Sequence, residues 1–82
     1  MTEAKENRTI TIEVNKKPVD VTGSRLSGLA IKQAAISQEV NIELDFQLAE
    51  IKPNGRDIVG DDDLVAVNKN SKFVATATDD NS

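Results

Sequence analysis

Two β-rich runs across a tight turn, then one helix, then a third alternating run occupy Arg8 to Leu44. Few folds accept that order. In Arg8-Thr-Ile-Thr-Ile-Glu-Val14 polar and β-branched apolar residues alternate, so Ile10, Ile12 and Val14 share one face and Thr9, Thr11 and Glu13 the other. One face is buried and the other is wet. Asn15-Lys16-Lys17 supplies the turn, Pro18 suits the start of an edge strand because it has no N–H to pair, and Val19 and Val21 continue the alternation.

A chain of 82 residues is one domain, and it contains no cysteine to staple a small core. Its apolar residues must therefore suffice. The expected set is Ile10, Ile12, Val14, Val19, Val21, Leu26, Ile31, Ile42, Leu44, Phe46, Leu48, Val65, Val67 and Phe73. No apolar run is long enough to span a bilayer and no signal-like segment opens the chain, so a cytoplasmic location is expected. The absence of a signal also discounts Asn7-Arg8-Thr9 as a glycosylation site.

Composition removes much chemistry. Without Cys or His there is no thiolate nucleophile, imidazole base or Cys/His zinc site, and no catalytic residue, cofactor or metal is assigned. A net charge of −4 and only two aromatic residues argue against nucleic acid as a partner. A protein partner is the expectation.

Residues 1–7 read as a flexible leader, 8–77 as the domain and 78–82 as a flexible tail. Thr22-Gly23-Ser24-Arg25 is turn-forming, and Ser27 is placed to cap a helix over Gly28 to Gln38. Ile31, Ala34 and Ala35 make its core stripe. Alternation from Val40 to Leu48 predicts a third strand, with Ile42, Leu44, Phe46 and Leu48 inward and Asn41, Glu43, Asp45 and Gln47 outward. Pro53-Asn54-Gly55 is a turn signal, Ile58-Val59 a short edge strand, and Lys72 to Ala77 the last strand, with Phe73, Ala75 and Ala77 inward.

This order of elements is that of the β-grasp fold, an α+β arrangement in which one helix crosses a mixed sheet, and ubiquitin is its familiar member. Val65-Ala-Val-Asn-Lys-Asn-Ser-Lys-Phe-Val-Ala resembles the ubiquitin passage leading through a polar loop into the terminal strand. Ser27, Ile31-Lys32 and Ala35 lie where ubiquitin has its capping threonine, core residues and a helix lysine. Gly28 to Ile36, Val59-Gly-Asp-Asp-Asp63, Asn70-Ser-Lys-Phe73 and Asp79-Asp-Asn-Ser82 resemble the bacterial multi-ubiquitin domain family, here in a single copy over residues 8 to 82. The resemblance implies a ubiquitin-like modifier and not an enzyme. It implies an activating-enzyme, a conjugating-enzyme and a metalloprotease-like partner, no nucleic acid or membrane, and, for some such operons, a link to phage defence.

The resemblance makes the Ser82 carboxylate the group to be conjugated and Asp79, Asp80 and Asn81 the recognised tail. Asn81-Ser82 stands where ubiquitin has a glycine pair. Either the enzymes accept a bulkier end, or a protease trims it, or the domain acts without conjugation as a noncovalent interaction module. A sulfur carrier, whose terminal glycine becomes a thiocarboxylate, is the remaining alternative.

The alternation makes Thr11, Glu13, Glu43, Asp45, Gln47, Val74 and Thr76 the partner-binding sheet face. It reads as polar and acidic, suited to a basic partner or simply to water. Asp61-Asp62-Asp63 does not match the ligand spacing of an EF-hand and reads as a solvated loop with one capping carboxylate. Lys16, Lys17, Lys32, Lys52, Lys69 and Lys72 read as solubilising charge, with service as modifier acceptors the alternative.

Overall fold

The computed structural model describes residues 9–77, which form a mixed sheet, a single helix and a small second sheet. The hairpin forms as its alternation predicts. β1 (Thr9–Val14) and β2 (Lys17–Thr22) pair antiparallel, with Ile12 opposite Val19 and Ile10 opposite Val21. The turn is shorter than expected, because Asn15 and Lys16 both adopt positive φ, 53° and 68°. Two consecutive left-handed residues match the right-handed twist of the strands, so the connection needs no third residue and Lys17 opens β2.

β3 (Arg25–Ser27) precedes α1 (Gly28–Ser37). Ser27 caps the helix as expected, its hydroxyl accepting from the Ala30 N–H at 3.1 Å. At the other end Glu39 takes a φ of 74°; its N–H donates to the Ile36 carbonyl at 3.0 Å and that of Val40 to Ala35 at 2.9 Å. This is a Schellman closure with glutamate where glycine is favoured. Glu39→Gly is expected to stabilise the fold by about 0.5–1 kcal/mol, read as a rise in the urea midpoint at unchanged slope.

β4 (Gln47–Lys52) and β5 (Gly55–Val59) form a second hairpin across Pro53-Asn54; β6 (Leu64–Ala66) pairs with β3, and β7 (Lys72–Thr76) is the last strand of the described residues. The five-stranded sheet runs β2-β1-β7-β4-β5, with β7 central and parallel to β1. A mixed sheet with one helix after β3 is an α+β, ubiquitin-like β-grasp arrangement. Phe73, Ile12, Ile31, Leu48, Val14 and Val19 are its most deeply buried large side chains.

The third strand departs from expectation. Val40 to Phe46 is not a strand, and β4 starts only at Gln47. The backbone there is committed elsewhere: Val40 closes the helix, the Phe46 N–H donates to Glu43, and the Leu44 and Phe46 carbonyls accept from Lys32 Nζ at 2.7 and 2.9 Å. Period-two alternation within a loop has no sheet to impose it. Ile42 is buried and Phe46 packs on the core, but Leu44, expected inside, is 46% exposed. Ala77, also expected inward, lies exposed just past the end of β7.

β3 replaces part of the expected turn at Thr22 to Arg25. Its three residues carry no alternation long enough to read, and they become a strand only because β6 lies opposite, Leu26 facing Val65. The Val67 N–H extends the ladder to the Ser24 carbonyl at 2.9 Å.

Candidate docking face and C-terminal exit

The helix covers one side of the large sheet and leaves the other open. Strand register fixes which residues share the open side. Across β5, β4 and β7, Ile58 lies opposite Ala49 and Ala49 opposite Val74, so three apolar residues form one continuous row. Ile51 sits opposite Arg56, and Gln47 opposite Thr76. Towards β2 the same side turns polar: the Thr11 hydroxyl bonds the Asp20 carboxylate at 2.6 Å, and Glu13 is registered with Lys72.

Of the expected face residues, Thr11, Glu13, Gln47, Val74 and Thr76 therefore lie on one side of the sheet. Glu43 and Asp45 do not. They belong to the loop after the helix, where they border a shallow depression with Ile36, Ile42 and Leu44. Without them the face is not acidic. Ile51 and Ile58, 43% and 60% exposed, give it an apolar half edged by Arg56 and Lys72.

The sequence reading missed Ala49 and Ile51 because it assigned the strand to earlier residues; it placed Ile58 in an edge strand but not on this face. With β4 at Gln47–Lys52, Leu48 points inward and Ala49 and Ile51 lie on the open side, Ile51 exposed and Ala49 buried at 6% exposure, so apolar residues fall on both faces. Beside Ile51, Arg56, Lys72, Val74 and Thr76 lies a shallow depression of about 560 Å³.

β7 is held at its C-terminal end by a side chain. β1 pairs with β7 only at Glu13–Lys72 and Val14–Phe73 before turning away. There the Asn15 side chain takes over as a backbone substitute, its Nδ2 donating to the Ala75 carbonyl at 3.1 Å and its Oδ1 accepting from the Ala75 N–H at 2.8 Å. The clamp extends the pairing of β7 on the β1 side to Ala75. Asp79, Asp80, Asn81 and Ser82, which carry the expected tail chemistry, lie outside the described residues.

Lys32 and the acidic turn hold the helix to the face's supporting loops. Lys32 is 4% exposed, and besides the two carbonyls its ammonium meets Asp61 Oδ1 at 2.7 Å. It is neither solubilising charge nor a reachable acceptor. Asp63 caps the turn by accepting from the Gly60 N–H at 2.9 Å. Two of the three consecutive carboxylates are thus committed to structure, and no group of metal-ligating side chains forms among the described residues.

On β4 the Lys52 ammonium lies 3.1 Å from Asp57 and 3.8 Å from Glu50. The hydrogen bond to Asp57, then the charge of Glu50, hold its pKa above the ordinary 10.5. Any stabilisation from this exposed cluster is complete below that value and lost as pH rises through the raised one.

A family model described as Multiubiquitin matches residues 10–79, a stretch that contains nearly all of the grasp fold. The chain belongs to the multiubiquitin family. No curated protein and no solved structure matches it. For this multiubiquitin domain, present here as one copy, the match joins the fold to a ubiquitin-like identity that composition could only leave open. Among the described residues no helix is long and apolar enough to cross a membrane.

Proposed function

We propose that this domain is a protein modifier activated at its C-terminal carboxylate and transferred to a target by a conjugating enzyme. The observation that carries the reading is the family match over a grasp fold whose final element is also its central strand. That strand is paired on both sides and clamped at Ala75.

The chain supplies a substrate group and its partners supply catalysis. A carboxylate oxygen of the terminal residue attacks the α-phosphorus of ATP, the bond to the pyrophosphate oxygen breaks, and an acyl-adenylate forms with release of pyrophosphate. A thiol or hydroxyl on the enzyme then attacks the acyl carbon; AMP leaves and the nucleophile's proton passes to a base. A metalloprotease-like partner would reverse the linkage or trim Ser82. The setting is the cytoplasm, within an operon of such enzymes, with phage defence as the process served.

Docking of these enzymes is assigned to the Ile51–Val74 region, where apolar surface adjoins Arg56 and Lys72. Ile51→Glu is expected to weaken binding to the activating or conjugating enzyme by about tenfold or more while leaving the melting temperature within about 2 °C of the parent. Equal affinity of parent and variant in a titration would remove this face from the reading.

Incubation of the full chain with ATP and the activating enzyme encoded beside it tests the chemistry. Pyrophosphate release and an adenylate or covalent adduct at the chain's last residue are expected. Neither product, from the full chain or from one ending at Thr78, would leave the noncovalent module as the better reading, since the docking face does not depend on the tail.

A further inference from the structure

The two edges of the large sheet are finished differently. A two-residue turn closes on a hydrogen-bonded pair, so in β2 the groups facing away from β1 belong to Pro18, Asp20 and Thr22. Pro18 has no N–H, and the Gln38 carboxamide occupies Asp20, its Oε1 accepting from the Asp20 N–H at 2.8 Å and its Nε2 donating to the carbonyl at 2.7 Å. That edge is guarded. In β5 the same logic aims the backbone groups of Arg56 and Ile58 away from β4, and neither device is present among the described residues. An unguarded edge beside apolar surface is a template for strand pairing.

We infer that the β5 edge pairs with the β5 edge of a second copy of this chain, antiparallel about a two-fold axis that places Ile58 opposite Ile58. The edge complements itself. Ile58 is 60% exposed and ends the apolar row, so this register joins two rows, Val74–Ala49–Ile58 and its symmetry mate, across the axis. Antiparallel pairing also brings Arg56, two residues before Ile58, opposite Gly60, two residues after it, and so beside the acidic turn containing Asp62. Cation and anion meet twice by symmetry. The register that would instead centre on Asp57 sets like charges directly opposite. A contact of one strand edge is small, so the pairing is weak and depends on concentration.

Sedimentation equilibrium and amide spectra of the full chain over a roughly hundredfold dilution series test this. The weight-average mass should rise above 8.9 kDa toward twice that value with concentration. Amide shifts that move with dilution should centre on Arg56 and Ile58, whose exchange with solvent should slow at high concentration. Ile58→Lys, a change at an exposed position that sets two like charges face to face, should keep the fold and abolish the mass increase. A monomer at every concentration would overturn the inference, and so would association that Ile58→Lys leaves intact. With a constant monomer mass, fast Arg56 and Ile58 exchange throughout would mean the edge serves a different protein, and slow exchange throughout that another segment of the chain covers it.

Discussion

Gly28→Ala should destabilise the domain by about 3 kcal/mol, lowering the thermal midpoint by more than about 10 °C. The cause is backbone against backbone. A Cβ at Gly28 would overlap the Gly60 carbonyl oxygen and press on Val59 Cγ1 at 3.1 Å. Neither can step aside cheaply. The first helical N–H groups donate to the other side of that turn, Gly28 to Asp63 at 3.1 Å and Leu29 to Asp61 at 3.3 Å, so opening the contact would break the bonds that seat the helix. Gly28→Val should not fold at 37 °C, since small domains hold only about 5–15 kcal/mol in total. A melting curve for Gly28→Ala that overlays the parent would mean the helix does not approach the turn this closely.

The second large effect is expected at Lys32. Lys32→Met keeps most of the apolar stem but orphans two carbonyls, Leu44 and Phe46, and leaves Asp61 without its cation. Asp61 is half exposed, so water screens part of that charge; the carbonyls carry most of the loss. A cost of about 3 kcal/mol follows, measured as a fall in the urea midpoint at unchanged slope. Local disorder should start in the Val40–Phe46 loop, since this ammonium ties that loop to the helix. Increased amide exchange confined to other segments would contradict this assignment.

How much of this was legible in the sequence depended on whether local pattern or distant partners decided the backbone. Ile10, Ile12 and Val14 lie in a hairpin whose strands and turn are contiguous, so alternation alone placed its faces. Ser27 announced its helix because capping is local. The segment after the helix failed for the opposite reason. Its alternation was genuine, but Lys32, twelve and fourteen residues before its two carbonyl acceptors, determines the backbone path.

The candidate docking face was lost with that segment. Shifting β4 to Gln47–Lys52 replaces Glu43 and Asp45 by Ala49 and Ile51 on the open side, turning an acidic expectation into an apolar row. Arg25–Ser27 could not have been read as a strand from its own residues, since its pairing partner lies about forty residues away. The carboxamides of Asn15 and Gln38 carry no signature either. Each imitates a peptide group only after the fold has brought a strand alongside.

The central claim is that the chain's end becomes covalently joined to another protein. Intact-mass and peptide mass spectrometry of the domain co-expressed with activating and conjugating enzymes of the proposed kind tests it most directly. The account predicts a species in which the last retained residue, Ser82 or a trimmed end, is linked through its carbonyl to a side chain of a second protein, and that species should disappear when the activating enzyme is inactivated. Recovery of the domain solely with a free carboxylate, with all enzymes present and active, would contradict it.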